Sequence, residues 1–234
     1  MSSHRRHLLL GTLALAALVL LEGVAEAHGV SRRDASFVES ISGAAIGPFL
    51  YLGAKHMVTG YDHLLFLVGV IFFLYRLKDV LLYVSLFTIG HSITLLGGVL
   101  GGIRADAHLV DAVIGASVAY KAFENLGGFE RVLHVRPNTK IAVLVFGLFH
   151  GFGLATKLQE FTLSTDGLVT NIVSFNLGVE IGQMLALTAV LILLTSWRAR
   201  SSFMNHAFIT NTLLMTAGFV LAGYQLAGYV IARG

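Results

Sequence analysis

The sequence predicts an all-α fold, a polytopic transmembrane helix bundle. Three observations predict it. Hydrophobic residues make up 56% of the 234-residue chain and charged residues only 12%, against about a quarter charged in soluble domains. The apolar residues fall in long blocks, and the mean hydropathy is +0.79. Glycine is abundant at 26 residues while proline occurs twice, a pattern suited to membrane helices that pack closely through small residues. This composition excludes a disordered chain, a nucleic-acid binder and an ordinary soluble enzyme. The pI near 9.3 does not point to nucleic acid, because the net charge is only +3. With no cysteine, disulfides, thiolate metal sites and a Cys nucleophile are excluded.

Residues 1–27 read as a secretory signal peptide. His4, Arg5, Arg6 and His7 form the basic start, Leu8–Leu21 the apolar stretch and Ala25-Glu26-Ala27 a small-x-small cleavage site. Cleavage there leaves 28–43 as a short extracytoplasmic segment before a single transmembrane helical domain over 44–234. An uncleaved anchor helix is the alternative.

The apolar blocks of that domain lie at about 44–59, 61–76, 79–100, 107–126, 138–157, 170–197 and 207–232. The last five are long enough to cross a bilayer alone. The first two are short and meet at Thr59-Gly60, where glycine weakens a continuous helix; a broken helix or a dip before a crossing both fit. Loops 76–79, 127–140 and 198–206 carry Arg76, Lys78, Arg131, Arg136, Lys140, Arg198 and Arg200, which places them in the cytoplasm. A cleaved signal places the N-terminus outside. The two rules agree for six full spans plus a short or re-entrant first helix, with both termini outside; seven full spans violate one of them.

Ionisable groups at membrane depth are costly, about 2.5–3.5 kcal/mol each on insertion scales, and this chain has many. Lys55, His56, Asp62 and His63 lie at the junction of the first two blocks, His91 and Ser92 in the third, Lys121, Glu124 and Asn125 in the fourth, His150 in the fifth, and Asn176, Glu180 and Gln183 in the sixth. His56 and His63 are seven apart and share a helical face; so do Asn176, Glu180 and Gln183, and Ser117, Lys121 and Glu124. Gly147 and Gly151 bracket His150, and Gly178 and Gly182 bracket Glu180, in small-xxx-small patterns that let helices approach closely. The spacing therefore predicts convergence of His56, Asp62, His63, His91, His150, Glu124 and Glu180 on a divalent transition-metal cation, with Ser92, Asn125, Asn176 and Gln183 supporting them. Imidazole and carboxylate donors suit nickel, cobalt, zinc or iron rather than Cu(I).

Simpler roles compete for each group. A lone His bonds a neighbouring helix as readily as a metal. Lys121 offers Glu180 a structural ion pair. His108, His134 and His206 lie in or near loops and read as solvated. Phe87-Thr-Ile-Gly-His91-Ser92 and Phe146-Gly-Leu-Phe-His150-Gly151 also echo each other, as a duplicated helix pair would.

Taken together, His56-Met-Val-Thr-Gly-Tyr-Asp62-His63 (His-x5-Asp-His), Phe87-Thr-Ile-Gly-His91-Ser92, Glu124-Asn125, Phe146-Gly-Leu-Phe-His150-Gly151 and Phe175-Asn-Leu-Gly-Val-Glu180-Ile-Gly-Gln183 resemble the HupE/UreJ family, and its broad branch more than its hydrogenase-linked one. The resemblance covers about residues 44–197. It implies a bacterial cytoplasmic (inner) membrane protein that is a permease for nickel or cobalt, with His56, Asp62, His63 and His150 binding the ion. It also leaves room for a homo-oligomer and for metalloenzyme-maturation proteins as partners beside the lipid bilayer. The same residues also resemble the zinc sites of ceramidase-like membrane hydrolases, in which Asp62, Ser92 and Glu180 would act with a metal-activated water. Two functions therefore fit the sequence: a secondary permease, the leading reading, driven by the membrane potential or a coupled ion because no P-loop is present, and an intramembrane zinc-dependent hydrolase.

Overall fold

The computed structural model describes residues 39–160 and 164–233. The predicted signal segment and most of 28–43 lie outside the described residues. Eight α-helices form within them: α1 Ile46–Thr59, α2 Tyr61–Ile71, α3 Leu77–Gly101, α4 Ala107–Asn125, α5 Gly128–Val132, α6 Thr139–Leu158, α7 Leu168–Arg198 and α8 Phe203–Ile231. The fold is all-α, and seven of the eight helices coincide with the apolar blocks to within a few residues. Helix α5 is a single short turn in a loop that the hydropathy pattern does not mark.

The boundaries follow from local chemistry. The Asp106 carboxylate accepts the His108 and Leu109 N–H groups at the start of α4 at 3.0 and 3.3 Å. Asn138 does the same for Lys140 and Ile141 at the start of α6, at 3.1 and 3.4 Å. Helix α3 ends at Gly102 with φ +63°, the left-handed conformation that glycine adopts without strain.

Helices α3, α6, α7 and α8 are long and apolar enough to cross a membrane, and the chain is a multi-pass membrane protein. Helix α4 has the length, 19 residues, but Asp111, Lys121 and Glu124 set its composition apart from the other four blocks expected to cross alone. The helix over the 61–76 block stops at Ile71 after 11 residues. At about 1.5 Å per residue it covers roughly half of a ~30 Å hydrocarbon core.

Helices α1 and α2 are tied to opposite ends of α7. Near its start, the Asn171 side chain accepts the Ala45 N–H at 2.7 Å and donates to the Gly43 carbonyl at 2.9 Å. At its end, the Arg198 guanidinium donates to the carbonyls of Ile71, Phe72 and Leu74, a cation closing the C-terminus of α2. Phe72, Trp197 and Phe203 pack there, with ring centroids 5.0–5.9 Å apart. The two half-helices thus run the length of α7, interrupted at Gly60, whose extended backbone (φ −74°, ψ 94°) breaks the helix.

Three tight seams hold the remaining helices. Helix α1 lies parallel to α7, where a methyl on Gly178 would overlap the Leu50 carbonyl and one on Gly182 would stand 2.6 Å from the Ala54 carbonyl. Helix α3 lies parallel to α6 in the same way, with Gly90 and Gly151 against the Leu144 and His91 carbonyls. Helix α4 runs antiparallel to α8, Gly115 meeting Ala222 and Gly218 meeting Ala119. Because lipid tails are as apolar as leucine, such backbone approach, rather than the hydrophobic effect, drives association.

Candidate metal centre

The break at Gly60 puts His56 near the end of α1 and Asp62 and His63 in the first turn of α2. A side chain at Gly60 would crowd them: its Cβ would stand 3.0 Å from His63 Nδ1 and 3.3 Å from Asp62 Oδ1. The α3–α6 seam then brings two further histidines inward, since His91 follows Gly90 and His150 precedes Gly151. His63 is the hub. Its ring centroid lies 5.2 Å from that of His56, 5.9 Å from His91 and 4.7 Å from His150. Four helices therefore contribute four histidines to one place. Asp62, His63, His91 and His150 are all buried, and Phe66, Phe87 and Phe175 wall the cluster.

Partners fix some of these rings. His63 Nδ1 lies 3.0 Å from Asp62 Oδ1. His150 Nε2 lies 3.5 Å from the Ser117 hydroxyl, which itself donates to the Ile114 carbonyl. His63 Nε2 and both ring nitrogens of His91 are buried without a hydrogen-bond partner. Leaving such groups unmade costs about 1–3 kcal/mol each, so a native site that keeps several calls for a ligand or a function. As placed, the His56 and His91 rings meet His63 at 79° and 68°. Among the described residues, no three His, Asp or Glu side chains are disposed to hold a single ion.

Not every predicted residue joins the cluster. Glu124 lies two helical turns beyond Ser117 on α4, where its carboxylate takes the Lys121 ammonium at 2.7 Å and the Thr139 hydroxyl. Lys121 is therefore the partner of Glu124, and the predicted alternative pairing with Glu180 does not form. The Asn125 amide donates to the Gly69 carbonyl at 2.8 Å and to Asn211 at 2.9 Å. Ser92 accepts from Asn176 at 2.9 Å, Asn176 lies 3.5 Å from Glu180, and Gln183 accepts from Thr88 at 3.2 Å. These groups form a polar seam between α3 and α7, beside the histidines.

A HupE / UreJ protein family model matches residues 32–233, nearly all of the chain and all of this site. The chain belongs to the HupE/UreJ family. No curated protein and no solved structure matches it.

In this HupE/UreJ chain the site extends beyond the motifs that carried the resemblance. A narrow cavity of about 10 Å³, room for about one water, is lined by His56, Asp62, His63 and His150 and also by Asp111 and Lys157. Asp111 pairs with Lys157 at 2.8 Å and receives the Gln225 amide at 3.4 Å. His108, expected in solvent, instead lies 2.8 Å from Gln225 Oε1. The signal for Asp111 is present in the sequence: it continues the face of Ser117, Lys121 and Glu124 at three- to four-residue spacing through Ile114. The Asp111–Lys157 pair joins residues 46 apart, which spacing cannot reveal.

Proposed function

We propose that this chain is a secondary permease that carries a divalent transition-metal cation, nickel or cobalt, across the bacterial cytoplasmic membrane. The observation that carries this is the gathering of His56, His91 and His150 around His63 at a helix break, with His63 Nε2 and both His91 ring nitrogens buried without a hydrogen-bond partner. Membership of the HupE/UreJ family supports the cargo, and imidazole suits both metals.

The topology we propose has six crossings: α1 with α2, then α3, α4, α6, α7 and α8. Two half-helices share the first one, and half-helix ends at mid-membrane are a recurrent ion-binding device of transporters. Both termini then lie outside, and the Arg- and Lys-bearing loops after α2, α4 and α7 lie in the cytoplasm. The ion sheds water, meets Asp62 and the four histidines, and leaves toward Glu124, which lines a wider cavity with Arg131, Arg136 and Thr139. A loose imidazole set suits transport, because a carrier must release what it binds. The polar seam of Ser92, Asn176, Glu180 and Gln183 couples α3 to α7 as they move. Moving a divalent ion inward down about 100 mV yields about 4.6 kcal/mol, from about 2.3 kcal/mol per charge, so no nucleotide is required.

Hydrolysis fits less well. Ser92 is engaged by Asn176, and a cavity of about 10 Å³ has no room for a lipid linkage beside a metal-bound water.

The test is accumulation of radioactive nickel or cobalt by vesicles containing the purified chain, under an inside-negative potential. Wild-type vesicles are expected to accumulate the cation, and His63→Ala vesicles with equal protein content to stay at the protein-free background. Equal uptake by the two would refute the permease site.

A further inference from the structure

Asp111 has no place in the motifs or in the path so far described. It lies in the second turn of α4 and is 4% exposed. Its two oxygens differ. Oδ2 takes the Lys157 ammonium at 2.8 Å and the Gln225 amide at 3.4 Å. Oδ1 is buried and has no hydrogen-bond partner. It faces Gly153 of α6, where a methyl would stand 3.6 Å away. Asp111, Gly153 and Lys157 line the same cavity as His56, Asp62, His63 and His150. A half-satisfied carboxylate therefore shares a water-sized space with the imidazoles, and its charge is balanced by one ammonium on a flexible stem. Lys157 lies one residue before the end of α6, at the end of the bundle that holds the α3–α4 and α6–α7 loops.

We propose that Asp111 is a cation-binding residue, a carboxylate station between that end of the bundle and the histidines, and that Lys157 is the tethered ammonium that holds it when no metal cation is bound. This rests on the permease reading above. Carboxylate oxygen suits an ion that still carries water, and imidazole suits the same ion once partly stripped. A divalent ion arriving at Oδ1 repels the Lys157 ammonium, which releases Oδ2 as a second donor. As the ion passes to His63 the ammonium returns. The step is an exchange of cations on one carboxylate, an ammonium hydrogen bond giving way to metal–oxygen coordination, with no covalent bond made and no proton moved. A purely structural ion pair in a buried setting is expected to satisfy both oxygens, which this one does not.

The experiment uses the purified full chain, with cobalt(II) as the probe. Equilibrium binding is measured in detergent and initial uptake in vesicles, for wild type, Asp111→Asn, Lys157→Gln and the double variant. Asp111→Asn is expected to raise both Kd and KM for cobalt about tenfold or more, with the saturating rate less affected. Lys157→Gln is expected to lower KM and to slow the saturating rate, because the carboxylate then holds the ion. The double variant, in which the charge imbalance is cured, is expected to keep the raised KM and Kd. Wild-type Kd and KM in the double variant would make the pair structural and overturn the proposal, as would a wild-type chain that binds no cobalt. Uptake by wild type that is indifferent to Asp111 refutes this site alone. Binding that depends on Asp111 without uptake by wild-type vesicles refutes the permease reading and leaves the site.

Discussion

Gly178→Ala is expected to detach α1 from α7 and to abolish cation uptake with it. The methyl would overlap the Leu50 carbonyl and stand 2.8 Å from the Leu50 carbonyl carbon and 3.0 Å from the Ala54 nitrogen. All three are backbone atoms of a helix, so no side chain can swing aside, and α1 itself must move. Overpacking of this kind costs about 1–3 kcal/mol and occasionally more. Its functional effect is larger than its energy, because α1 carries His56 and leads into the Gly60 break. Size-exclusion profiles and thermal unfolding in detergent should report a loosened or unfolded protein. Gly97→Ala and Gly223→Ala are the controls. Nothing lies within 4 Å of a methyl at either position, so the gain in helix propensity, about 1 kcal/mol, should leave stability equal or higher. A stable, active Gly178→Ala protein would mean that the α1–α7 seam is not what assembles the site.

Asp62→Asn is expected to weaken cobalt binding about 10–100-fold while leaving the fold intact. Asp62 Oδ1 lies 3.0 Å from His63 Nδ1. A carboxylate there holds the Nδ1 proton, so that the lone pair sits on Nε2, the nitrogen that is buried without a partner. Asparagine keeps the volume but removes the charge that makes the ring a better donor and offsets the ion. At the helix end the change loses a favourable carboxylate from the first turn of α2, about 0.3–1 kcal/mol. Titration of cobalt into the purified variant, beside its melting curve, separates the two effects. Unchanged cobalt affinity would show that Asp62 serves only the helix end.

The bundle was legible because lipid imposes a simple rule, that apolar blocks become helices whose backbone bonds are internal. The limits of α3, α6, α7 and α8 follow from that rule, and the break at Gly60 from glycine between two apolar blocks. The fate of the first two blocks was less legible. Spacing does not disclose that Asn171 and Arg198 pin them to the two ends of α7, since these contacts span 126 and 124 residues. Convergence of His56, His63, His91 and His150 was foreseeable because unpaired imidazoles are expensive at that depth and because the Gly90 and Gly151 positions press α3 onto α6. The same cost argument grouped Glu124 with the histidines, whereas its carboxylate is paired three residues away with Lys121, an intrahelical partner that is itself readable at that spacing. Asp111 and His108 were missed for the opposite reason: their partners lie on α6 and α8, far along the chain.

The most direct test of convergence is cobalt-edge X-ray absorption on the purified, cobalt-loaded chain, wild type beside His63→Ala. The expected wild-type spectrum contains the outer-shell scattering of at least two imidazoles, and the variant is expected to lose most of it. A shell of oxygen alone in the wild type, or identical spectra for the two proteins, would contradict a common cation site formed by these histidines.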